Sequence, residues 1–276
     1  MSAVPEVRGD VGGDGSRTQA RHQAIIATVK RQGYASNEEL ARLFDVAVQT
    51  IRRDIRTLDA AGEVLRHHGG ASAPSSVENI AYPQRQIRNR SEKDAIGELA
   101  AAAIPDGASL FVNIGTTTEA FARALASHKG LQVITNNLHV ATLLAGSEDC
   151  RVVVTGGTVR MRDGGILGPD SLTMLSRYRA DYGVIGISGI DEDGTLLDYD
   201  AEEIRASELI RANSRKIFLL ADHTKFGRRP LMNAGSIAGV TAFFTDRTPP
   251  APICEMLAAH DVALVLVGED VRKRTF

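Results

Sequence analysis

The chain has 276 residues, 43% hydrophobic and 24% charged, with 32 basic against 34 acidic side chains. That length supports roughly two domains and a sizeable core, and the composition excludes a disordered, collagen-like or coiled-coil chain. No apolar run approaches the roughly 20 residues of a membrane span, and the opening residues have neither signal-peptide nor transit-peptide character, so the expectation is a cytoplasmic protein without a membrane partner. Charge is uneven: residues 17–70 hold nine basic against six acidic side chains, a net +3, whereas residues 71–276 carry a net −3.

Residues 1–16, with four glycines and few large apolar groups, predict a disordered tail. From Thr18 the pattern is helical, with Ile25, Ile26 and Val29 on one face and Gly33 as the stop. Ser36-Asn37-Glu38-Glu39 has the spacing of a reciprocal capping box, opening a short helix through Leu40, Leu43 and Phe44. After a tight break at Asp45-Val46-Ala47, a third helix runs from about Val48 to Ala61 and stops at Gly62. Val64 and Leu65, then residues 66–70, predict a short strand pair with a basic tip. Three helices with a tight turn before the third, followed by a hairpin, predict a winged helix-turn-helix over residues 17–72.

At 100° per residue the third helix puts Val48, Ile51, Ile55 and Leu58 in one stripe and points Gln49, Arg53 and Arg56 away, with Arg52 and Thr57 on the flanks. Arg pairs with guanine O6/N7 and Gln with adenine N6/N7 in a major groove, while flanking hydroxyls, arginines and the wing reach phosphates. The candidate DNA contacts are Ser36, Gln49, Thr50, Arg52, Arg53, Arg56, Arg66 and His68. On pattern alone a helical hairpin with an Arg-rich solvated face stays open.

Residues 73–90, from Pro74-Ser75-Ser76 to the basic Arg85–Arg90 run, predict a linker in which Tyr82 and Pro83 either pack on the second domain or simply space it. Residues 91–268 alternate helical stretches, near 92–104, from Thr117, from Leu138, and around 170–178, 201–213 and 251–259, with short β-branched runs. Those runs are Ser109–Ile114, Gln132–Thr135, Arg151–Thr155, Gly183–Ile187, Lys216–Ala221, Thr241–Thr245 and Val262–Val267. The alternation predicts a mainly parallel sheet with helices on both faces and a ligand site at the carboxyl ends of its strands. Residues 269–276 read as a tail.

Those strand ends carry small and polar residues, among them Gly115-Thr116-Thr117-Thr118 opening a helix, where amides, hydroxyls and the helix dipole favour an anion such as phosphate. Lys225 supplies a cation; Asn136 suits a ligand hydroxyl, and Asp191 or Glu203 an acceptor. Each also has a plain structural reading: a cap for Asn136, a turn for Asp191, a surface carboxylate for Glu203, a surface ion pair for Lys225. Asp191-Glu192-Asp193-Gly194 is a β-turn rather than a calcium loop, because the first ligand position would fall on Gly189. His223 has no metal-spaced partner. Cys150 and Cys254 read as buried thiols, and neither metal nor cofactor is expected.

Glu38-Glu39-Leu40-Ala41-Arg42-Leu43-Phe44-Asp45-Val46, Thr50-Ile51-Arg52-Arg53-Asp54-Ile55 and His68-Gly69-Gly70-Ala71 together resemble the DNA-binding domain of the DeoR family of transcription regulators. One departure is Ala47, where the family usually has Ser to cap the recognition helix; Asp45 is the substitute on offer. Asn113–Glu119, Thr135-Asn136-Asn137, Thr155-Gly156-Gly157 and Asp222–Gly227 resemble the family's sensor domain, which implies a ribose 5-phosphate isomerase-like fold that binds phosphorylated sugars. Asp181-Tyr182-Gly183, Ser188–Asp191, Gly194, Leu196–Asp200 and Glu203 are most similar to the branch that responds to glycerol 3-phosphate. The resemblance implies a repressor that binds a double-stranded operator as a homodimer or homotetramer, is relieved by a phosphorylated effector, and is not an enzyme. A sugar-phosphate isomerase, with Asp191 or Glu203 as base and Lys225 as electrostatic stabiliser, is the alternative; it leaves residues 17–70 unexplained.

Overall fold

The computed structural model describes residues 13–32, 34–66, 69–72, 82–147, 149–271 and 276. It divides between Ser75 and Ser76 into two compact units. The tail expected over residues 1–16 lies mostly outside the described residues, as do Gly33 and His68, while helix α1 begins at Gly13.

The first unit consists of α1 (Gly13–Gln32), β1 (Tyr34–Ser36), α2 (Asn37–Leu43), α3 (Val48–Ala60), β2 (Leu65–Arg66) and β3 (Gly70–Ser72). Its antiparallel sheet has the order β1-β3-β2, with Ala35 opposite Ala71 and Arg66 opposite Ala71 on the other side. Strand β1 is absent from the sequence reading because three residues show no alternation; it exists because β3 of the wing has an edge to pair. Ile25, Ile26, Val29, Leu40, Ile51, Ile55, Leu58 and Val64 close over this sheet as the core. Leu43, expected on the apolar stripe, is 59% exposed, since α2 ends there and Phe44 turns into the core margin instead.

Ser36 and Glu39 make the reciprocal capping box: the Ser36 hydroxyl accepts from the Glu39 amide at 3.1 Å and the Glu39 carboxylate accepts from the Ser36 amide at 2.8 Å. Ala47 is the N-cap of α3 in extended conformation, and its carbonyl accepts the Thr50 amide at 2.9 Å, which fixes the helix start at Val48. Asp45, in left-handed conformation at φ 48°, does not substitute for the missing cap.

The inner side of α3 holds a group that the apolar stripe hid. Asp54 is buried and accepts from Arg21 Nε at 2.6 Å and lies 3.0 Å from His22 Nε2, tying α3 to α1. Burial would raise its carboxyl, but these two partners hold it below the ordinary Asp range.

The second unit opens with α4 (Tyr82–Ile87) and α5 (Arg90–Ala101), followed by β4 (Ser109–Val112), α6 (Thr116–Ala124), β5 (Leu131–Thr135), α7 (Leu138–Leu144) and β6 (Cys150–Val154). A hairpin of β7 (Thr158–Arg160) and β8 (Gly165–Leu167) leads to α8 (Pro169–Ser176) and β9 (Ala180–Gly186). Then come β10 (Gly189–Ile190), β11 (Thr195–Asp198), α9 (Ala201–Ala212), β12 (Ser214–Leu220), β13 (Met232–Ser236), β14 (Ala242–Thr245), α10 (Ala251–Ala259) and β15 (Ala263–Leu266). Seven strands form one parallel sheet, β15-β14-β12-β9-β4-β5-β6, and all seven β-branched runs of the sequence fall on it.

Side chains alternate across that sheet. Leu110 and Val112 of β4 face Ile96, Phe121 and Val140 of α5, α6 and α7, while Phe111 between them faces the layer containing Leu175, Ile204, Ile210 and Ile253 of α8, α9 and α10. The sheet is therefore covered on both faces, as parallel sheets require. Gly97 lets α5 lie against α6: a Cβ there would stand 2.6 Å from the Ala120 and Phe121 backbone.

Three readings of the sequence change here. Residues 82–90 are not a bare linker, because α4 forms and Tyr82 is buried. Residues 269–276 are not all tail, since Val271 is buried and the Phe276 ring packs 5.2 Å from that of Phe218. Cys150 and Cys254 are half-buried rather than buried. The strands β10, β11 and β13 form a separate antiparallel sheet, β10-β11-β13, too short to show a period in sequence.

Restoring a hydroxyl at the uncapped start of α3, Ala47→Ser, should stabilise the first unit by about 1 kcal/mol, read as a rise in its urea midpoint at unchanged slope. Asp54→Asn should cost about 2 kcal/mol at pH 7. Because the Asp54 carboxyl is depressed in the folded state, that difference should be present at neutral pH and shrink as pH falls below about 4.

Candidate functional site

On α3, Gln49, Arg52, Arg53 and Arg56 are all exposed, while Ile51, Asp54, Ile55 and Leu58 are buried, so the helix phase read from the sequence holds. Thr50 is half-buried at the margin and Arg66 is exposed on the wing strand β2. The wing is held to α3 by the Arg66 amide, which donates to Asp59 Oδ1 at 2.9 Å, and to α2 by the Asn37 amide, which donates to the Gly69 carbonyl at 2.8 Å. Ser36 sits beside this surface with its hydroxyl oxygen engaged in the capping box. The result is one solvated face of helix and wing carrying four arginines, Arg52, Arg53 and Arg56 on the helix and Arg66 on the wing, and the amide of Gln49, with no acidic residue among the outward positions 49, 52, 53 and 56.

In the second unit the chain lays down β4, β5 and β6 in one direction, then returns to the far side of β4 with β9 and continues through β12, β14 and β15. The loops leaving β4 and β9 diverge to opposite faces, and a crevice opens between their carboxyl ends. A cavity open to solvent occupies this place. Its walls are Asn113–Thr117 after β4, Gly186–Ser188 after β9, Asp198, Glu203, Ile204 and Ser207 around the start of α9, Lys225 after β12, Ala234, and Arg85 from α4.

The α6 wall presents a helix N-terminus with no side-chain cap. Gly115 is the N-cap and has no side chain to satisfy the first-turn amides of Thr116, Thr117 and Thr118. Its backbone, at φ 154° and ψ 150°, lies in territory open essentially to glycine, and a Cβ would stand 3.2 Å from the Thr118 hydroxyl. Facing the same cavity, Lys225 forms no ion pair among the described residues. Burial and the neighbouring Arg228 lower its ammonium to about 7 against the pull of Asp222. Asp222 itself, which burial would raise, is held at about 2 by Lys225 and the Thr224 hydroxyl.

The opposite wall is acidic. Glu203 is raised to about 7 by burial and by Asp198, even though Arg160 binds it directly. Asp198 is also pushed up by burial and accepts from the Ser188 hydroxyl at 2.9 Å and the Tyr199 amide at 2.7 Å. A ligand lying here meets amides and a cation at one end and carboxylates that accept hydroxyl protons at the other.

The structure brings Gly115, Thr116, Thr117, Glu203 and Lys225 to this cavity. It does not bring Thr118, whose hydroxyl donates to the Asn113 and Gly115 carbonyls at 2.8 Å, nor Asp191, which stands on the β10–β11 turn and pairs with Arg229 at 3.3 Å. Asn136 is fully buried, and both its side-chain polar atoms lack a partner among the described residues, but it lies outside the cavity wall; the cap of α7 is Asn137 instead. His223 pairs with Asp246 at 2.6 Å. Arg85, Asn113, Ser188, Asp198 and Ser207 are polar wall residues that were not among the expected site residues. The Arg85–Arg90 basic run was the signal for the first, and Asp198 sits inside the Leu196–Asp200 motif.

Among the described residues no cluster of His, Cys, Asp and Glu could hold a metal, and no helix is long and apolar enough to cross a membrane. Residues 21–77 match the DeoR-like helix-turn-helix domain, and residues 88–247 match the DeoR C terminal sensor domain. The glycerol-3-phosphate regulon repressor of Escherichia coli K12 is 47% identical over 246 residues, covering 89% of this chain and 98% of that protein. The protein of the same name from Haemophilus influenzae is 44% identical over 91% of this chain and 98% of its own. The HTH-type transcriptional repressor CsqR of Escherichia coli K12 is 42% identical over 91% of this chain and 96% of its own. Ribose 5 phosphate isomerase A from Neisseria gonorrhoeae aligns in structure over 49% of this chain and 52% of its own, with 17% identity and a TM-score of 0.36, too low to argue from. With both domains matched in order and relatives aligned almost end to end, this chain is a member of the DeoR family of DNA-binding transcription regulators.

Proposed function

We propose that the chain is a repressor that holds an operator through α3 and the wing and releases it when a small phosphorylated polyol, with glycerol 3-phosphate as the best fit, fills the switch-point cavity. The observation that carries this reading is the polarity of the cavity, with the uncapped α6 N-terminus and Lys225 on one side and Asp198 and Glu203 on the other. A phosphate suits the first wall. Hydroxyls on a short carbon chain suit the second, whereas a second anionic group would be repelled by it. The names of the Escherichia coli and Haemophilus influenzae relatives favour the same ligand.

On DNA, Gln49, Arg53 and Arg56 are assigned to base edges, and Arg52, Arg66, Thr50, Ser36 and His68 to phosphates. The reading includes a self-associated chain, because paired half-sites need paired recognition helices, and a location in the compartment that holds the DNA. An isomerase reading draws on the raised Glu203 carboxyl. Arg160 occupies that carboxylate, which argues against a free base, and isomerisation of ribose 5-phosphate abolished by Glu203→Gln would reinstate it.

The deciding experiment is a titration of the full chain, bound to DNA from its own promoter region, with glycerol 3-phosphate, ribose 5-phosphate and fructose 6-phosphate. Release by glycerol 3-phosphate alone is expected, and release by none would overturn the cavity assignment. Arg53→Ala should cost about 1 to 3 kcal/mol on operator and relax base preference. Arg52→Ala or Arg66→Ala should instead weaken binding to all sequences and lower the salt slope by about 1; anisotropy titrations at several salt concentrations separate the two.

Effector affinity should fall as pH rises above about 7. There the free Lys225 ammonium loses its proton, which the bound phosphate must restore, and Glu203 gains negative charge in the same cavity. The limiting slope for one proton is about tenfold per pH unit. Calorimetry at pH 8 in buffers of different ionisation enthalpy should show proton uptake on binding, reduced in Lys225→Met along with affinity.

A further inference from the structure

The segment preceding α5 behaves as a strap across the sensor unit. It is fastened at three places. The Tyr82 hydroxyl donates to Glu119 Oε2 at 2.8 Å, with the ring stacked on His139 at 5.2 Å between centroids. The buried Lys93 ammonium donates to the carbonyls of Arg85 and Arg88, closing the C-terminal end of α4 with a cation. Asn89, in left-handed conformation at φ 50°, donates to Asp222 Oδ1 at 3.1 Å and to the Thr224 hydroxyl at 3.4 Å. Glu119 belongs to α6, and Asp222 and Thr224 to the turn that carries Lys225, so the strap is anchored on the two elements that form the anion wall of the cavity.

Between these anchors Arg85 reaches the cavity. Its side chain is 16% exposed; among the described residues its Nε has no hydrogen-bond partner, its one ion pair is a 3.4 Å contact from Nη2 to Asp163, and its guanidinium stands over the Tyr82 ring at 5.8 Å from the centroid. Asp163 does not depend on it. Arg160 grips the same carboxylate with two bonds, at 2.8 Å from Nε and 2.7 Å from Nη2. Arg85 can therefore leave Asp163 without stranding a buried anion, the event that makes most buried pairs costly to break. A guanidinium with a vacant donor and a weak hold, in a wall with an uncapped helix N-terminus, is poised to take a phosphate oxygen.

We propose that Arg85 binds the phosphate of the effector in exchange for Asp163, and that the strap it moves is the element through which occupancy of the cavity reaches the DNA-binding unit. This rests on the cavity being the effector site. The strap lies on the covalent path between the units, so in this proposal its shift on filling of the cavity is passed along the chain and requires no rearrangement of the seven-stranded sheet. Arg85 is thus both a ligand contact and the start of the signal, while Tyr82 acts only on the signal.

The test uses the full chain, which contains no tryptophan, with Ile87→Trp as a reporter on the strap at a position 78% exposed. Glycerol 3-phosphate should shift its emission. Arg85→Gln should raise the dissociation constant for glycerol 3-phosphate tenfold or more and abolish the shift. Arg85→Lys, which keeps the charge, should fall between, and so separates lost charge from lost fold, checked by circular dichroism. Tyr82→Phe should leave that constant within about threefold while most ligand-driven release of DNA is lost. Unchanged ligand affinity in Arg85→Gln together with loss in Lys225→Met would overturn the role of Arg85 and leave the cavity reading standing. Unchanged release in Tyr82→Phe would overturn the strap as the path. Failure of glycerol 3-phosphate, ribose 5-phosphate and fructose 6-phosphate alike to bind the wild-type chain would remove the cavity reading, and the proposal with it.

Discussion

The crevice between the carboxyl ends of β4 and β9 exists because the sheet is filled outward from β4 twice, in opposite directions. In a parallel sheet wound this way, neighbouring loops part at one place, and that is where backbone amides reach a ligand without a helix covering them. The neighbouring elements shape this opening. Gly97 brings α5 close to α6, α6 aims its first turn at the gap, and Gly115 leaves that turn uncapped. Phe111 and Val112 pack the two faces of β4 just below the gap, so its floor is rigid apolar core.

Above that floor the cavity gathers buried charged groups of both signs. Lys225 has its proton weakened by burial, and Asp198 and Glu203 hold theirs more tightly than usual for the same reason. These shifts are opposite in sign and share their largest cause, the removal of water, to which like charge adds: Arg228 beside Lys225 and Asp198 beside Glu203. For the empty cavity they are linked to stability in opposite ways. Lys225, lowered, disfavours the folded state below its ordinary pKa and ceases to do so as pH rises through 7 and beyond. Glu203, raised, binds its proton more tightly in the folded state, and that contribution is lost as pH rises from about 4 to 7. Around neutrality both groups sit near their midpoints, where a dianion changes their charge most readily.

Much of this was legible in the sequence, and the parts that were not share a physical reason. The seven parallel strands, their helices and the phase of α3 each rest on a repeated pattern, so several residues vote for each element. Strands β1, β10 and β11 span two to four residues and exist only because a partner edge is present. The anion wall was visible in Gly115-Thr116-Thr117 because a helix start advertises itself by residue type. Asp198 lay in a quoted motif and Arg85 in a basic run, but neither pattern pointed to the cavity, because it is tertiary packing that brings them there. Thr118 and Asp191 illustrate the converse: the right residue type in the right motif, turned to local backbone and surface bonds instead.

A regulator whose ligand chemistry is to change without disturbing its DNA read-out needs a sensor in which different walls meet different parts of the ligand. Here the anion wall and the hydroxyl wall come from different parts of the chain, the first from α6 and the Lys225 turn, the second from β11 and α9. In the proposed reading, substitutions around Asp198 and Glu203 change which carbon skeleton fits, while the phosphate contacts, and with them the strap anchored on α6 and the Lys225 turn, are kept. A coupling of about 1 to 3 kcal/mol between cavity and DNA suffices for such a switch. Exchange of one ion pair of Arg85 between Asp163 and a phosphate is an interaction of that order, so it can set the coupling without the sheet having to move.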